Sequence, residues 1–148
     1  MKWLVNIVAV SAIIFCGPLL AAAKTEAVGI VKTVAGDAVI VRKAGTMKAE
    51  VNTPLKLGDV VKTGPASSIG LILEDDTVVS MGPSGEIAID DFVFDPAEAQ
   101  LSMVVRMIRG SFSFLSGQIA KLAPENVHLE TPDATIGMRG TRLLVKVE

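Results

Sequence analysis

The sequence predicts an all-β domain built mainly of antiparallel strands, and three observations carry that prediction. From Val28 onward, short runs rich in Val and Ile alternate with clusters of Gly, Pro, Asp and Ser. Branched side chains of this kind are stiff about χ1 and suit a pleated surface. No window as long as about eleven residues carries a convincing helical period. The longest run, "LSMVVRMIRGSFSFLSG", keeps the two-residue alternation of a strand.

The elements follow in order. "GIVKTV" stops at Ala35-Gly36-Asp37, and "AVIVRK" follows and stops at Ala44-Gly45; the two runs read as a hairpin. Further strands are expected over Val60–Thr63, Ile69–Leu73, Thr77–Met81 and Glu86–Phe94. Their breaks fall at Gly64-Pro65, Glu74-Asp75-Asp76 and Gly82-Pro83-Ser84-Gly85. In "DPAEAQ", Asp95 stands as an N-cap before a proline at the first helical position, which predicts one helical turn. "SGQIAKLAPEN" predicts another before Pro124.

The long run changes face. Leu101, Met103, Val105 and Met107 share one parity, whereas Phe112 and Phe114 share the other. A β-bulge near Arg109-Gly110 would supply the one residue that corrects the register. Burial on both sides, with Val104 and Ile108 also inside, is the alternative. The final strand alternates Leu143, Val145 and Val147 with Arg142, Leu144 and Lys146. Short turns imply sequential antiparallel pairing. A sandwich, a roll and a short β-solenoid all fit.

The first 23 residues differ from the rest. Lys2 precedes the apolar run "WLVNIVAVSAIIF", and "GPLLAAA" ends in an A-x-A-like site, so a signal peptide cleaved after Ala23 is expected. An uncleaved anchor and a lipoprotein attached through Cys16 are the alternatives. Residues 24–148 then form one domain, periplasmic or secreted, with no membrane span after cleavage. About 125 residues suffice to bury roughly two-thirds of the unfolded surface.

Composition excludes several functions. Cys16 and Trp3, the chain's one cysteine and one tryptophan, leave with the signal, so no disulfide or thiol nucleophile remains. A mildly acidic balance without a basic run gives no reason to expect a nucleic-acid partner. Asp90, Asp91, Asp95 and Glu98 cluster but are split by Phe92-Val93-Phe94, not arranged as a calcium loop. His128 is the chain's one histidine, which leaves no pair for zinc and no nucleophile motif for it to serve. It reads as a surface residue. No metal, no cofactor and no catalysis are expected. The Gly-x-x-Gly of Gly137 to Gly140 precedes a strand, where a phosphate loop needs a helix N-terminus.

Two sets of residues resemble the FecR domain, found in periplasmic regions of bacterial cell-surface signalling regulators. The first is Leu55, Gly58, Asp59, Thr63 and Gly64, followed by Ser67-Ser68 and by Met81 and Pro83. The second is Thr131, Pro132, Ala134, Gly137, Arg139, Gly140 and Thr141. The resemblance spans roughly residues 27–147. Asp75-Asp76 stands where the family has Asp-Gly, and Met138 where it has Val. Family regulators carry a cytoplasmic anti-sigma region and a membrane helix before the domain, whereas here the domain follows the signal directly. Many also run on past the last strand, so an open sheet edge is expected here, partly protected by Lys146 and Glu148.

The resemblance implies a non-catalytic envelope module that binds a protein partner, with strand addition as the natural mechanism. A structural surface protein that binds glycan or forms a homo-oligomer is the second reading. Within the motifs, Gly137 and Gly140 are expected to need positive φ or close backbone approach. Thr131-Pro132 should enter the segment extended. Arg139 is expected to brace the turn against a carboxylate such as Asp59, with contact to an anionic partner as the alternative.

Overall fold

A computed structural model describes residues 27–148. The expected signal peptide, with its Cys16 and Trp3, lies outside the described residues. The all-β prediction holds: the strands form one curled, half-barrel sheet, antiparallel except at one pairing.

The sheet is organised around β9 (Gln100–Leu115), the longest strand. Its first half pairs antiparallel with β8 (Glu86–Asp95) and parallel with β10 (Val127–Glu130). Its second half pairs antiparallel with β7 (Val78–Met81) and β12 (Arg142–Val147). From β8 the sheet continues through β5 (Val60–Thr63) and β2 (Ala38–Arg42) to β3 (Gly45–Lys48). From β7 it continues through β6 (Ser68–Leu73) and β1 (Ala27–Ala35) to β4 (Pro54–Lys56). A short β11 (Thr135–Gly137) pairs with β10.

The face change in β9 is a bulge. Arg109 stands opposite Glu86 and Met107 opposite Ile87, so Ile108 is the extra residue. Gly110 follows at φ +107°, and a Cβ there would come within 2.7 Å of the Gly85 Cα. Met103, Val105 and Met107 on one side of the bulge, and Phe112 and Phe114 on the other, therefore all reach the same core. Val104 and Ile108 are only half-buried, which excludes the doubly buried alternative. The core also gathers Val31, Ile40, Leu55, Val61, Leu71, Ile89 and Leu129. Each fully buried large apolar side chain contributes about 1.5–3 kcal/mol of transfer free energy.

Both helical turns form. Pro96–Glu98 is a 3-10 turn whose Glu98 N–H donates to Asp95 Oδ1 at 3.2 Å. Helix α1 (Gln118–Leu122) and a 3-10 turn at Pro124–Asn126 follow β9.

One expectation fails. β1 and β2 do not form a hairpin: β1 lies between β4 and β6, and β2 between β3 and β5. Gly36, at φ +78°, turns the chain from one limb of the curled sheet into the other. The corner is held because Asp37 N–H donates to the buried Ser67 Oγ at 2.8 Å. Each strand thus buries its own apolar face against distant strands. Consecutive strands pair antiparallel at β2–β3, β6–β7, β8–β9 and β10–β11 and parallel at β9–β10; the remaining pairings skip strands.

Candidate binding edge and the motifs that brace it

The first motif builds a corner. Asp59 N–H donates to Lys56 O at 3.1 Å, closing a turn whose third residue, Gly58, has φ +84°. Positive φ at that place favours glycine. Asp59 is buried, and its carboxylate accepts Lys56 N–H at 2.8 Å and the Arg42 guanidinium at 2.9–3.0 Å. Arg42 also donates to Pro54 O at 2.6 Å. The partner of Asp59 is therefore Arg42 at the end of β2. Arg139 is exposed and, among the described residues, makes no ion pair, so the expected Arg139–Asp59 brace does not form.

Thr63 and Gly64 tie a second corner. The buried Thr63 hydroxyl donates to Gly82 O at 2.7 Å and accepts Gly85 N–H at 2.8 Å. Gly64 O accepts Ser84 N–H at 2.9 Å, and Gly64 N–H donates to Asp37 O at 2.9 Å. Three loops are thereby pinned together at the point where Gly85 meets Gly110.

Asp75-Asp76 carries more than a turn. Asp76, standing where the family has Gly, takes the positive φ, +68°. Asp75 is fully buried, and its carboxylate accepts Thr77 Oγ1 at 2.8 Å, Thr77 N–H at 3.1 Å and Ile119 N–H at 3.1 Å. It caps the N-terminus of α1 across 44 residues, where the local Gly117 offers no side chain.

The second motif sets up β12. Thr131 N–H donates to Ala134 O at 2.8 Å, and Thr131 Oγ1 accepts Ala134 N–H at 3.1 Å, closing a turn over Pro132. Met138 is buried in the core. Gly140 has φ +107° as expected. Gly137 has neither positive φ nor any heavy atom within 4 Å of where a Cβ would stand, so its expected backbone role is absent. The buried Ser116 carries the load there: its N–H donates to Thr141 O at 2.9 Å and its hydroxyl to Gly140 O at 3.2 Å. Arg139 and the exposed His128 instead line a shallow depression of about 440 Å³ with Met138 and Pro124.

The acidic cluster is dispersed into separate roles. Asp90 pairs with Arg106 at 3.1 Å, Asp91 accepts Ser102 Oγ at 2.6 Å, and Asp95 caps its turn. No group of ligating side chains suited to a metal occurs among the described residues.

β12 is the open edge. Among the described residues it pairs with β9 alone, and the phase of that ladder is set by two bonds. Ser116 N–H to Thr141 O marks a bonded pair on the β12 side of β9. Gly82 N–H to Ser111 O, at 2.9 Å, marks a bonded pair on the β7 side, in the alternate phase. Residues 143, 145 and 147 therefore direct their backbone groups to β9, while Arg142, Leu144 and Lys146 direct theirs outward. Leu144 is 73% exposed, the most exposed large apolar side chain among the described residues. Beside it lies a groove of about 540 Å³ lined by Ser80, Met81, Phe112, Ser113, Leu144 and Lys146. The other terminal strands are short: β4 has three residues and begins with Pro54, β11 has three, and β3 has four with a glycine and a lysine.

Fold and motifs together define a class: an all-β domain of one curled sheet whose motif residues brace its corners and whose β12 edge stays open. A family model described as FecR protein matches residues 59–148, and the chain belongs to that family. The match begins at Asp59, so β1 to β4, which the sequence resemblance took in, precede it. No curated protein and no solved structure matches the chain. No helix among the described residues is long and apolar enough to cross a membrane.

Proposed function

We propose that this chain is an exported, non-catalytic FecR-family module that binds a protein partner of the cell envelope by strand addition at β12. Membership of the family supports a role tied to envelope signalling. The single observation that carries the binding mode is the outward set of backbone groups on Arg142, Leu144 and Lys146, beside a largely apolar groove. A strand added there gains main-chain hydrogen bonds, and Leu144 with the groove supplies side-chain specificity. The signal-like first 23 residues support export to the periplasm or beyond.

His128 is exposed, and among the described residues none of its side-chain atoms hydrogen-bonds a carboxylate or hydroxyl. Affinity capture from envelope extract, crosslinked before lysis, tests the reading. A recurrent protein crosslinked through β12 supports it. Crosslinks confined to other surfaces, or turnover of a substrate lost on His128→Ala, would remove it.

A further inference from the structure

The strand that adds to β12 can be identified from β12 itself. We infer that the occupant is the β12 of a second copy, paired antiparallel about a two-fold axis through Val145; this rests on the strand-addition reading above.

Three observations lead there. The outward groups of β12 lie on even-numbered residues, so a symmetric partner must match even residues with even residues. Side chains on the exposed face are then Arg142, Leu144, Lys146 and Glu148, and a two-fold axis sets each against one from this same list. With Val145 on the axis, Arg142 stands opposite the second copy's Glu148, twice by symmetry, and Leu144 opposite Lys146. With Leu144 on the axis, Arg142 would face Lys146. With Lys146 on the axis, Lys146 would face itself. An axis at Leu143 leaves Lys146 and Glu148 without partners. Opposite charges stabilise directly opposed positions and like charges destabilise them, so one register is selected. It is also the register that pairs the strand over its whole length.

The core face agrees. Leu143, Val145 and Val147 pack against the core but remain only half-buried at the edge. The same register sets Leu143 against Val147 and Val145 against Val145, continuing the apolar face into the second copy. The Lys146–Glu148 ion pair within one chain, at 3.2 Å and largely in solvent, is a weak competitor.

The test is sedimentation of the full chain across a concentration series, with charge reversals. Wild type is expected to dimerise reversibly. Glu148→Arg should raise the dimer Kd about tenfold, and adding Arg142→Glu should bring it back to within about threefold. Leu144→Pro removes an outward N–H but no β9 bond, and should abolish the dimer while the circular dichroism stays wild-type. A wild-type monomer at all concentrations, a Glu148→Arg variant that dimerises unchanged, or a double variant that stays dissociated would overturn the inference. A monomer whose position 144 still crosslinks to a different envelope protein would overturn only the identity of the occupant. Loss of all crosslinking at position 144 would remove strand addition too.

Discussion

Arg42 grips Asp59 through three nitrogen–oxygen contacts of 2.9, 3.0 and 2.9 Å, linking the end of β2 to the turn before β5. The carboxylate is 3% exposed and the guanidinium 21%, so screening at the pair is partial. Arg42→Ala would leave a buried carboxylate with Lys56 N–H as its remaining donor. Removing one partner of such a pair costs more than the pair contributes. We expect a loss of about 2–4 kcal/mol in urea unfolding. A loss below about 0.5 kcal/mol would show that the corner does not depend on it.

Asp75 should be as sensitive. Asp75→Ala strips the acceptor from the Ile119 and Thr77 N–H groups, both buried. The expected cost is about 2–4 kcal/mol, with α1 amides exchanging faster than those of β9. Uniform exchange across both elements would argue against the capping role.

Gly110→Ala tests the bulge. The substitution places a Cβ at φ +107° and within 2.7 Å of the Gly85 Cα. Strain and overpacking together predict a loss of about 2–4 kcal/mol, read as a lower Tm. An unchanged Tm would mean that the bulge relaxes without consequence.

Arg139→Ala is expected to leave stability within about 0.5 kcal/mol of wild type, since the side chain is exposed and forms no ion pair among the described residues. Ser116→Ala, by contrast, should cost about 1 kcal/mol or more through the loss of its bond to Gly140 O. If the order were reversed in thermal unfolding, Arg139 would be the brace after all.

Much of this fold was legible in short-range patterns. Val60–Thr63 is β5 residue for residue, and the parity change between Met107 and Phe112 located the bulge. Asp95 and Pro96 announced their turn through local capping chemistry. What failed depends on long-range geometry. Ala35-Gly36-Asp37 has the composition of a hairpin turn, but Ser67, 30 residues away, makes it a corner. Arg42 sits at the end of an ordinary strand, and no local pattern marks it as the partner of Asp59. Arg139 stands out by its place between two glycines, whereas Ser116, which anchors that segment, lies 24 residues before Gly140 and carries no local signal of that role. Gly137 resembled Gly140 by spacing, yet only Gly140 takes the positive φ. The β12 edge was legible as an alternating last strand; its outward phase required the ladder.

The central claim is that β12 is where another strand is received. The most direct measurement places a photoreactive residue at position 144 in cells expressing the full chain, with position 47 on the β3 edge as its counterpart. Adducts are expected from position 144, to a second copy or to an envelope protein, with the bonded residues clustered in one extended segment. Adducts arising from position 47 and none from position 144 would contradict it.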